Sequence, residues 1–154
     1  MIQAIFTVLI WLQFLAVVSH DWLNIPGWTH GRQVQAVLGR NKMLIGTVIN
    51  AIFPGLAAFY AVRYWHRSVP ALVLIYWIIY CAVTVFSAIM AWWVPYFRGT
   101  DEKTKEMYSK MYAGTRQVLR PHGDNPRPNL LHLYFHGLFL INLALTVVLW
   151  FRIS

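Results

Sequence analysis

Four long apolar segments constrain the fold of this chain more than any other feature. They run over residues 2–19, 43–62, 71–97 and 130–151. A helix needs about 20 apolar residues to cross the hydrocarbon core of a bilayer, because each residue advances it by about 1.5 Å. Hydrophobic residues make up 58% of the chain and charged residues only 12%, which is untypical of a water-soluble domain. The sequence therefore predicts an all-α protein: one multi-pass membrane domain over residues 1–154, an integral membrane four-helix bundle with four transmembrane helices.

The first apolar segment and the single cysteine narrow the class of protein further. No basic residue precedes the apolar run that begins at Ile2, and no small-residue cleavage pattern follows it. We therefore expect a retained span and not a secretory signal. Cys81 is the only cysteine, which excludes an intrachain disulfide and any metal site built from several cysteines.

The basic residues are concentrated in two of the three loops. Ten of the thirteen Lys and Arg residues lie in the loops 20–42 and 98–129, and the other three are Arg63, Arg67 and Arg152. Positive residues accumulate in the cytoplasmic loops of multi-pass proteins. We therefore expect both of these loops in the cytoplasm, both termini outside it, and a location in a cell inner membrane of bacterial type. The net charge of +8 follows from this distribution and does not indicate a nucleic-acid partner.

The third loop contains a helical pattern of its own. Thr100 is suited to the N-cap position, acidic residues fill the first turn, and Gly114 is suited to the C-cap. The apolar and aromatic residues recur on one side, at Met107, Tyr108, Met111 and Tyr112. We expect a short amphipathic helix that lies on the membrane surface. A solvated helix that leans on the bundle is the alternative.

The segment RPHGDNPRPNLLHLYFHGL, residues 120–138, brings many polar residues to the start of the fourth span. Its prolines exclude a continuous helix before the span, and Asn129 is predicted to be the N-cap of the fourth helix. His132 and His136 are four residues apart, so both imidazoles lie on one helix face. Ionisable residues inside a span are uncommon, and they indicate a functional site.

Histidines from other parts of the chain can complete a cofactor site. Five of the six histidines fall on the predicted cytoplasmic side, and we predict that His20, at the end of the first span, converges with His132 and His136. Haem b held by two axial histidines from different helices fits this set, and so does a divalent metal bound by all three. The position after His132 is Leu133, so the zinc-protease pattern, which has Glu there, is absent.

Basic and amide side chains near the histidine pair indicate an anionic ligand. Arg116, Arg120 and Arg127 can bind a phosphate or an anionic lipid headgroup through forked donors. Asn125 and Asn129 add amide groups to the same predicted pocket. Basic loops beside spans are also expected from topology alone, so structural anchoring is the alternative.

Two neighbouring residues in the third loop are candidates for chemistry. His122 and Asp124 have the side chains that general acid and base catalysis requires. The structural alternative is an ion pair between Asp124 and one of the nearby arginines, which would order the turn.

Polar residues inside the second and third spans have structural and functional interpretations. Pro54 removes the helical hydrogen bond to the carbonyl of Asn50, which indicates a kink or, less expectedly, a pocket. The third span carries hydroxyl side chains on one face, at Tyr76, Tyr80, Thr84 and Ser87. Helix packing is the favoured interpretation of this face, and a polar path for a ligand is the alternative.

Functions of two classes therefore remain open. The first is a membrane protein whose cytoplasmic pocket binds a cofactor, namely haem or a metal, or an anionic lipid or small amphiphile, with or without chemistry on it. The second is a structural or regulatory subunit that docks on a larger membrane protein through the small residues of the third span, with the surface helix of the third loop as its cytoplasmic contact. A homo-oligomer is a further possible assembly. A channel or carrier has only Pro54 and Asn50 in its favour.

Overall fold

Four helices of the protein are long and apolar enough to cross a membrane. The structure, a computed structural model, describes residues 1–153. The four helices are α1 (Ile2–Ser19), α3 (Arg40–Arg63), the continuous helical stretch Ala71–Arg98 and α7 (Leu130–Ile153). Their bounds agree within three residues with the apolar segments of the sequence. The prediction of an essentially all-helical chain with four candidate spans is confirmed.

The third of these helical stretches is irregular near its end. It consists of α4 (Ala71–Ala88), a π-helical turn (Ile89–Trp93) and α5 (Val94–Arg98). Pro95 has no N–H, so the carbonyl of Ala91 loses its ordinary helical donor. The Tyr108 hydroxyl donates to that carbonyl at 3.0 Å. A side chain from the following helix therefore satisfies the backbone group that the proline releases.

The first loop has more structure than the sequence patterns indicated. Strands β1 (Asn24–Ile25) and β2 (Thr29–His30) pair antiparallel, and α2 (Gly31–Leu38) follows directly. Gly27 takes a positive φ of 76° in the turn between the strands, a conformation that favours glycine. Two-residue strands and an eight-residue helix are too short to give a clear periodic pattern, which is why this hairpin and helix were not predicted.

Helix α6 (Glu102–Met111) occupies the third loop as predicted, but its ends differ from the prediction. Asp101 is the N-cap, and its Oδ1 accepts a hydrogen bond from the backbone N–H of Thr104 at 2.9 Å. The expected cap, Thr100, precedes it and donates to the same carboxylate. The helix ends at Met111, and Gly114 takes its positive φ of 75° in the turn that follows.

The apolar side of α6 packs against protein. Met111 is buried together with Val34 of α2 and Met43 of α3, and Met107 packs on the same cluster. This contact corresponds to the alternative of a helix that leans on the rest of the chain. It also fastens the third loop to the first loop.

The four long helices form a ring of contacts, in which each helix touches two others. Helix α1 contacts α3 and α7, and α4 contacts the same two helices. Trp77 of α4 is fully buried in their shared core, and its ring centroid lies 4.7 Å from that of Phe6. Ala57 and Ala61 are also fully buried, and such small residues let neighbouring helices approach closely.

Polar side chains connect three of these helices inside the core. Gln13 of α1 donates to the Tyr80 hydroxyl of α4 at 2.6 Å, and Asn142 of α7 donates to Gln13 Oε1 at the same distance. Tyr76 donates to the carbonyl of Phe53 at 2.6 Å. The hydroxyl face of the third span thus takes part in helix packing. Its last member, Ser87, is exposed and does not join these contacts.

Candidate functional site

The structure divides the predicted site residues into two neighbouring groups. The first, called the histidine cluster here, consists of His20, Asn129, His132 and His136. The second lines an open cavity between α6 and the segment 113–127, and includes Asp124, Asn125 and Arg127. Three predicted residues belong to neither group: Arg116, Arg120 and His122.

Asn129 organises the start of α7. Its side chain is buried, and its Oδ1 accepts the backbone N–H of His132 at 3.0 Å, which confirms the predicted N-cap. The same oxygen lies 2.7 Å from His132 Nδ1, while the amide nitrogen donates to Thr115 Oγ1 at 3.2 Å. Since an amide oxygen only accepts, Nδ1 carries the proton, and a neutral His132 ring keeps Nε2 as an acceptor.

Two tryptophans from the π-helical turn hold the histidines of α7. The Trp92 ring centroid lies 3.8 Å from that of His132, at an interplanar angle of 40°. Trp93 Nε1 donates to His136 Nδ1 at 3.2 Å. Because this nitrogen accepts, a neutral His136 ring carries its proton on Nε2. The π-helical turn therefore directs one tryptophan to each histidine, in keeping with the frequent occurrence of π-bulges at functional sites.

His20 approaches this pair from the end of α1. Its ring stands edge-on to that of His132, with centroids 6.4 Å apart. Nδ1 lies 2.9 Å from the carbonyl of Val17, and Nε2 lies 3.2 Å from Asp21 Oδ1. Acceptors thus face both ring nitrogens, an arrangement that a doubly protonated imidazole satisfies fully.

Little open space adjoins the histidine cluster. The cavity that His20, Asp21, His30, Tyr112 and His132 help to line measures about 10 Å³, comparable to the space of one water molecule. Within residues 1–153, no group of three or more His, Cys, Asp or Glu side chains is arranged to hold a metal ion. The histidines come together as predicted, but their rings are occupied by packing and hydrogen bonds.

The open cavity is much larger, at about 350 Å³. It brings together two basic side chains, one carboxylate and several neutral polar groups: Lys105, Arg127, Asp124, Tyr108, Gln117 and Asn125. Tyr112 lines both this cavity and the small one beside the histidines. The phenol ring is therefore the wall that the two groups share.

Charged groups in the open cavity are partly paired. Lys105 Nζ lies 2.8 Å from Glu102 Oε1 and 2.9 Å from Asp124 Oδ2. These hydrogen bonds raise the pKa of Lys105, and the bond from Lys105 lowers the pKa of Asp124. Asp124 thus pairs with a lysine of α6, and not with an arginine of its own loop. Arg127 Nη1 donates to the carbonyl of Leu119 at 3.2 Å.

Neutral polar groups complete the cavity wall. Burial raises the pKa of the Tyr108 and Tyr112 phenols, so both remain protonated at neutral pH, and the Tyr108 proton is donated to the carbonyl of Ala91. Asn125 donates to the carbonyl of Tyr96 at 2.9 Å. Gln117 Oε1 is buried and has no hydrogen-bond partner among the described residues. An acceptor is therefore left over in the wall of the cavity.

The predicted residues outside both spaces have exposed side chains. Arg116 and Arg120 contribute backbone groups, with the N–H of Arg116 donating to Gly27 and the carbonyl of Arg120 accepting from Tyr96. His122 is exposed, with its ring 6.0 Å from that of Tyr96. The catalytic role of His122 with Asp124 stays a prediction.

Several lining residues were missed from the sequence, although one signal was available. Lys105, Tyr108 and Tyr112 are separated by three and four residues, and this spacing places them on one face of a helix. The sequence pattern places these tyrosines on the side predicted to face the membrane, so it does not indicate a cavity that includes Lys105. Gln117, Trp92 and Trp93 carry no comparable local signal, because their roles depend on contacts between distant segments.

Similarity to known proteins does not extend these observations. No family model matches this chain, and no curated protein or solved structure shows significant similarity to it. Its function must therefore be argued from the two groups of residues described above.

Proposed function

We propose that this chain is an integral membrane protein that binds the anionic headgroup of an amphiphile in the 350 Å³ cavity. The four long apolar helices support insertion as a four-helix bundle. The positive-inside distribution supports a cytoplasmic position for the cavity. The headgroup occupies the cavity at the membrane interface, and the apolar chains extend into the bilayer.

The observation that carries this proposal is the composition of the cavity wall. Lys105 and Arg127 bring two positive charges to the wall, and Asp124 is its one carboxylate. Lys105 is also paired with Glu102 and Asp124, so Arg127 is the cation that has no carboxylate partner among the described ion pairs. Arg127 has four N–H donors besides the one that Nη1 gives to the Leu119 carbonyl. A neutral donor such as the second N–H of the Asn125 amide, whose first faces the Tyr96 carbonyl, adds a hydrogen bond without further charge.

The cofactor and docking hypotheses receive less support from the geometry. A haem needs far more volume than the 10 Å³ beside His132, and among residues 1–153 no group of three or more candidate ligands is arranged to hold a metal ion. An absorption spectrum and a metal analysis of the purified protein test both cofactors directly. A role as a docking subunit rests on the small residues of the third span alone.

The experiment is a binding titration in a neutral detergent. The probes are dihexanoyl phosphatidylglycerol, dihexanoyl phosphatidylcholine and glycerol 3-phosphate, measured by isothermal calorimetry. We expect binding of the phosphatidylglycerol, and a loss of about tenfold in affinity in Arg127→Gln, because a charge-assisted hydrogen bond is lost. Arg120→Gln is the matched control, since that side chain lies outside the cavity.

The outcomes distinguish the sources of the anion. Glycerol 3-phosphate binding as tightly as the lipid would indicate a free phosphate compound as the ligand. Equal binding of the zwitterionic lipid, or equal losses in the two arginine variants, would contradict an anion site at this cavity.

A further inference from the structure

Asn50 is an exposed polar residue near the middle of α3. It lies ten residues after Arg40 and thirteen before Arg63, or about 15 Å and 20 Å along the helix axis. The neighbouring Ile49 and Phe53 side chains are 56% and 60% exposed. In the inserted protein proposed above, this surface faces the hydrocarbon core of the bilayer, where an exposed carboxamide is unfavourable.

Asn50 presents two polar groups that the described part of the chain leaves without side-chain partners. One is its carboxamide. The other is its backbone carbonyl, which loses its ordinary helical donor because Pro54 has no N–H. At Pro95 the equivalent carbonyl, that of Ala91, receives the Tyr108 hydroxyl. The carboxamide of Asn50 therefore has donors and an acceptor available to a partner outside the described residues.

The surface beside Asn50 is open to a second helix. Gly46 lies one turn earlier on the same face, and a Cβ atom built there would meet no atom within 4 Å. Small residues at such a position allow two helix backbones to approach closely. Met43 and Ala57, each seven residues from Asn50, are buried, whereas Asn50 is exposed, so Asn50 borders the packed face of α3.

We propose that a second copy of this chain covers this surface, with the two α3 helices parallel about a two-fold axis along the membrane normal. Copies inserted in the same direction place their Asn50 residues at the same depth. A carboxamide carries both donors and an acceptor, so two of them can bond reciprocally. Lipid chains offer neither group, and a different protein would need a matching polar residue at this depth.

The first test measures dimerisation of the full chain in phosphatidylcholine vesicles by energy transfer between labelled copies. Asn50→Leu is expected to weaken the dimer at least about fivefold, because interhelical hydrogen bonds in membranes are worth this much. Asn41→Leu is the matched control, since it makes the same substitution in the first turn of the same helix and leaves the dimer unchanged. A monomeric wild type, or equal effects of both substitutions, overturns the proposal.

The second test does not depend on stability differences. Gly46→Cys is expected to form an oxidative crosslink at twice the 17.9 kDa mass of the chain. Ile52→Cys is the control, because two residues beyond Asn50 place it about 200° around the helix. Cys81 is buried, and the wild type reports any crosslink through it. Crosslinking at Ile52 but not at Gly46, or a Gly46 crosslink to another protein, overturns the proposal.

Flotation of the same vesicles separates this inference from the proposed membrane insertion. Protein that floats with the vesicles but fails both tests is inserted and not paired through Asn50. Protein that does not float contradicts the insertion on which the inference rests.

Discussion

Asn129 is the residue on which most of the histidine cluster depends. One side chain caps α7, orients the His132 ring and reaches back to Thr115. The capping role follows from local sequence, because Asn precedes the apolar run directly. The other two bonds depend on where the third loop returns, so they follow from tertiary structure.

Removal of the Asn129 side chain should therefore destabilise the protein more than removal of a neighbouring amide. We expect Asn129→Ala to lower the free energy of unfolding by about 2–3 kcal/mol, because it leaves buried polar groups without partners. Asn125→Ala is the control, since that side chain makes one bond, to the carbonyl of Tyr96, and is less buried. Unfolding in mixed micelles measures both. Equal losses would contradict the central position of Asn129.

Helix α6 is the element that forms one wall of the cavity while its other side packs on the first loop. Lys105, Tyr108 and Tyr112 line the cavity, and Met107 and Met111 pack towards α2 and α3. The position of Lys105 therefore depends on how well the first turn of α6 is ordered. That turn is held by the Asp101 cap.

Loss of this cap should loosen the first turn of α6. In Asp101→Ala we expect faster amide hydrogen exchange at residues 102–105 than in wild type, because the Thr104 N–H loses its acceptor. Asp101→Asn keeps a capping oxygen and should retain most of the protection. Exchange that is unchanged in Asp101→Ala would show that packing alone orders this turn.

The same cap has a defined pH dependence. Hydrogen bonds from Thr104 lower the pKa of Asp101 below its ordinary value of 3.8. A carboxyl whose folded-state pKa is lowered stabilises the fold fully above its unfolded-state value, and this contribution is lost as the pH falls through the folded-state value. The cap therefore acts throughout the neutral range and weakens only in strong acid.

At the scale of the whole molecule, both groups of site residues lie at one end of the long helices. The cluster forms where α1 ends and α7 begins, and the cavity lies beside the segment that leads into α7. Both lie beside the loops that carry ten of the thirteen basic residues. One measurement of membrane topology therefore locates both groups.

Reporter fusions provide that measurement. We expect alkaline phosphatase fused after Ser154 to be active and a fluorescent protein fused there to be dark. The reason is that basic loops stay in the cytoplasm, which places the C-terminus on the opposite side of the membrane. A fusion within the loop 98–129 should show the opposite pattern. Fluorescence at the C-terminal fusion would place the histidine cluster and the cavity outside the cytoplasm.

Local patterns were sufficient for the helices and for part of the site. Apolar runs of spanning length predicted the four long helices, and the spacing of His132 and His136 predicted their shared face. The pattern could not distinguish Thr100 from Asp101 as the cap, because both residues are suited to it. It also could not reveal the partner of Asp124, since Lys105 is distant in sequence and close only in the folded chain.

The sequence by itself determined the number and length of the apolar helices, the one-sided distribution of charge and the cap of α7. These are properties of residues near one another along the chain, and helical periodicity makes them readable. Only the tertiary structure decided that the histidine rings are enclosed by Trp92, Trp93 and Asn129 while the open volume lies against α6. The physical reason is that a cavity exists only where segments distant in sequence meet and leave space between them.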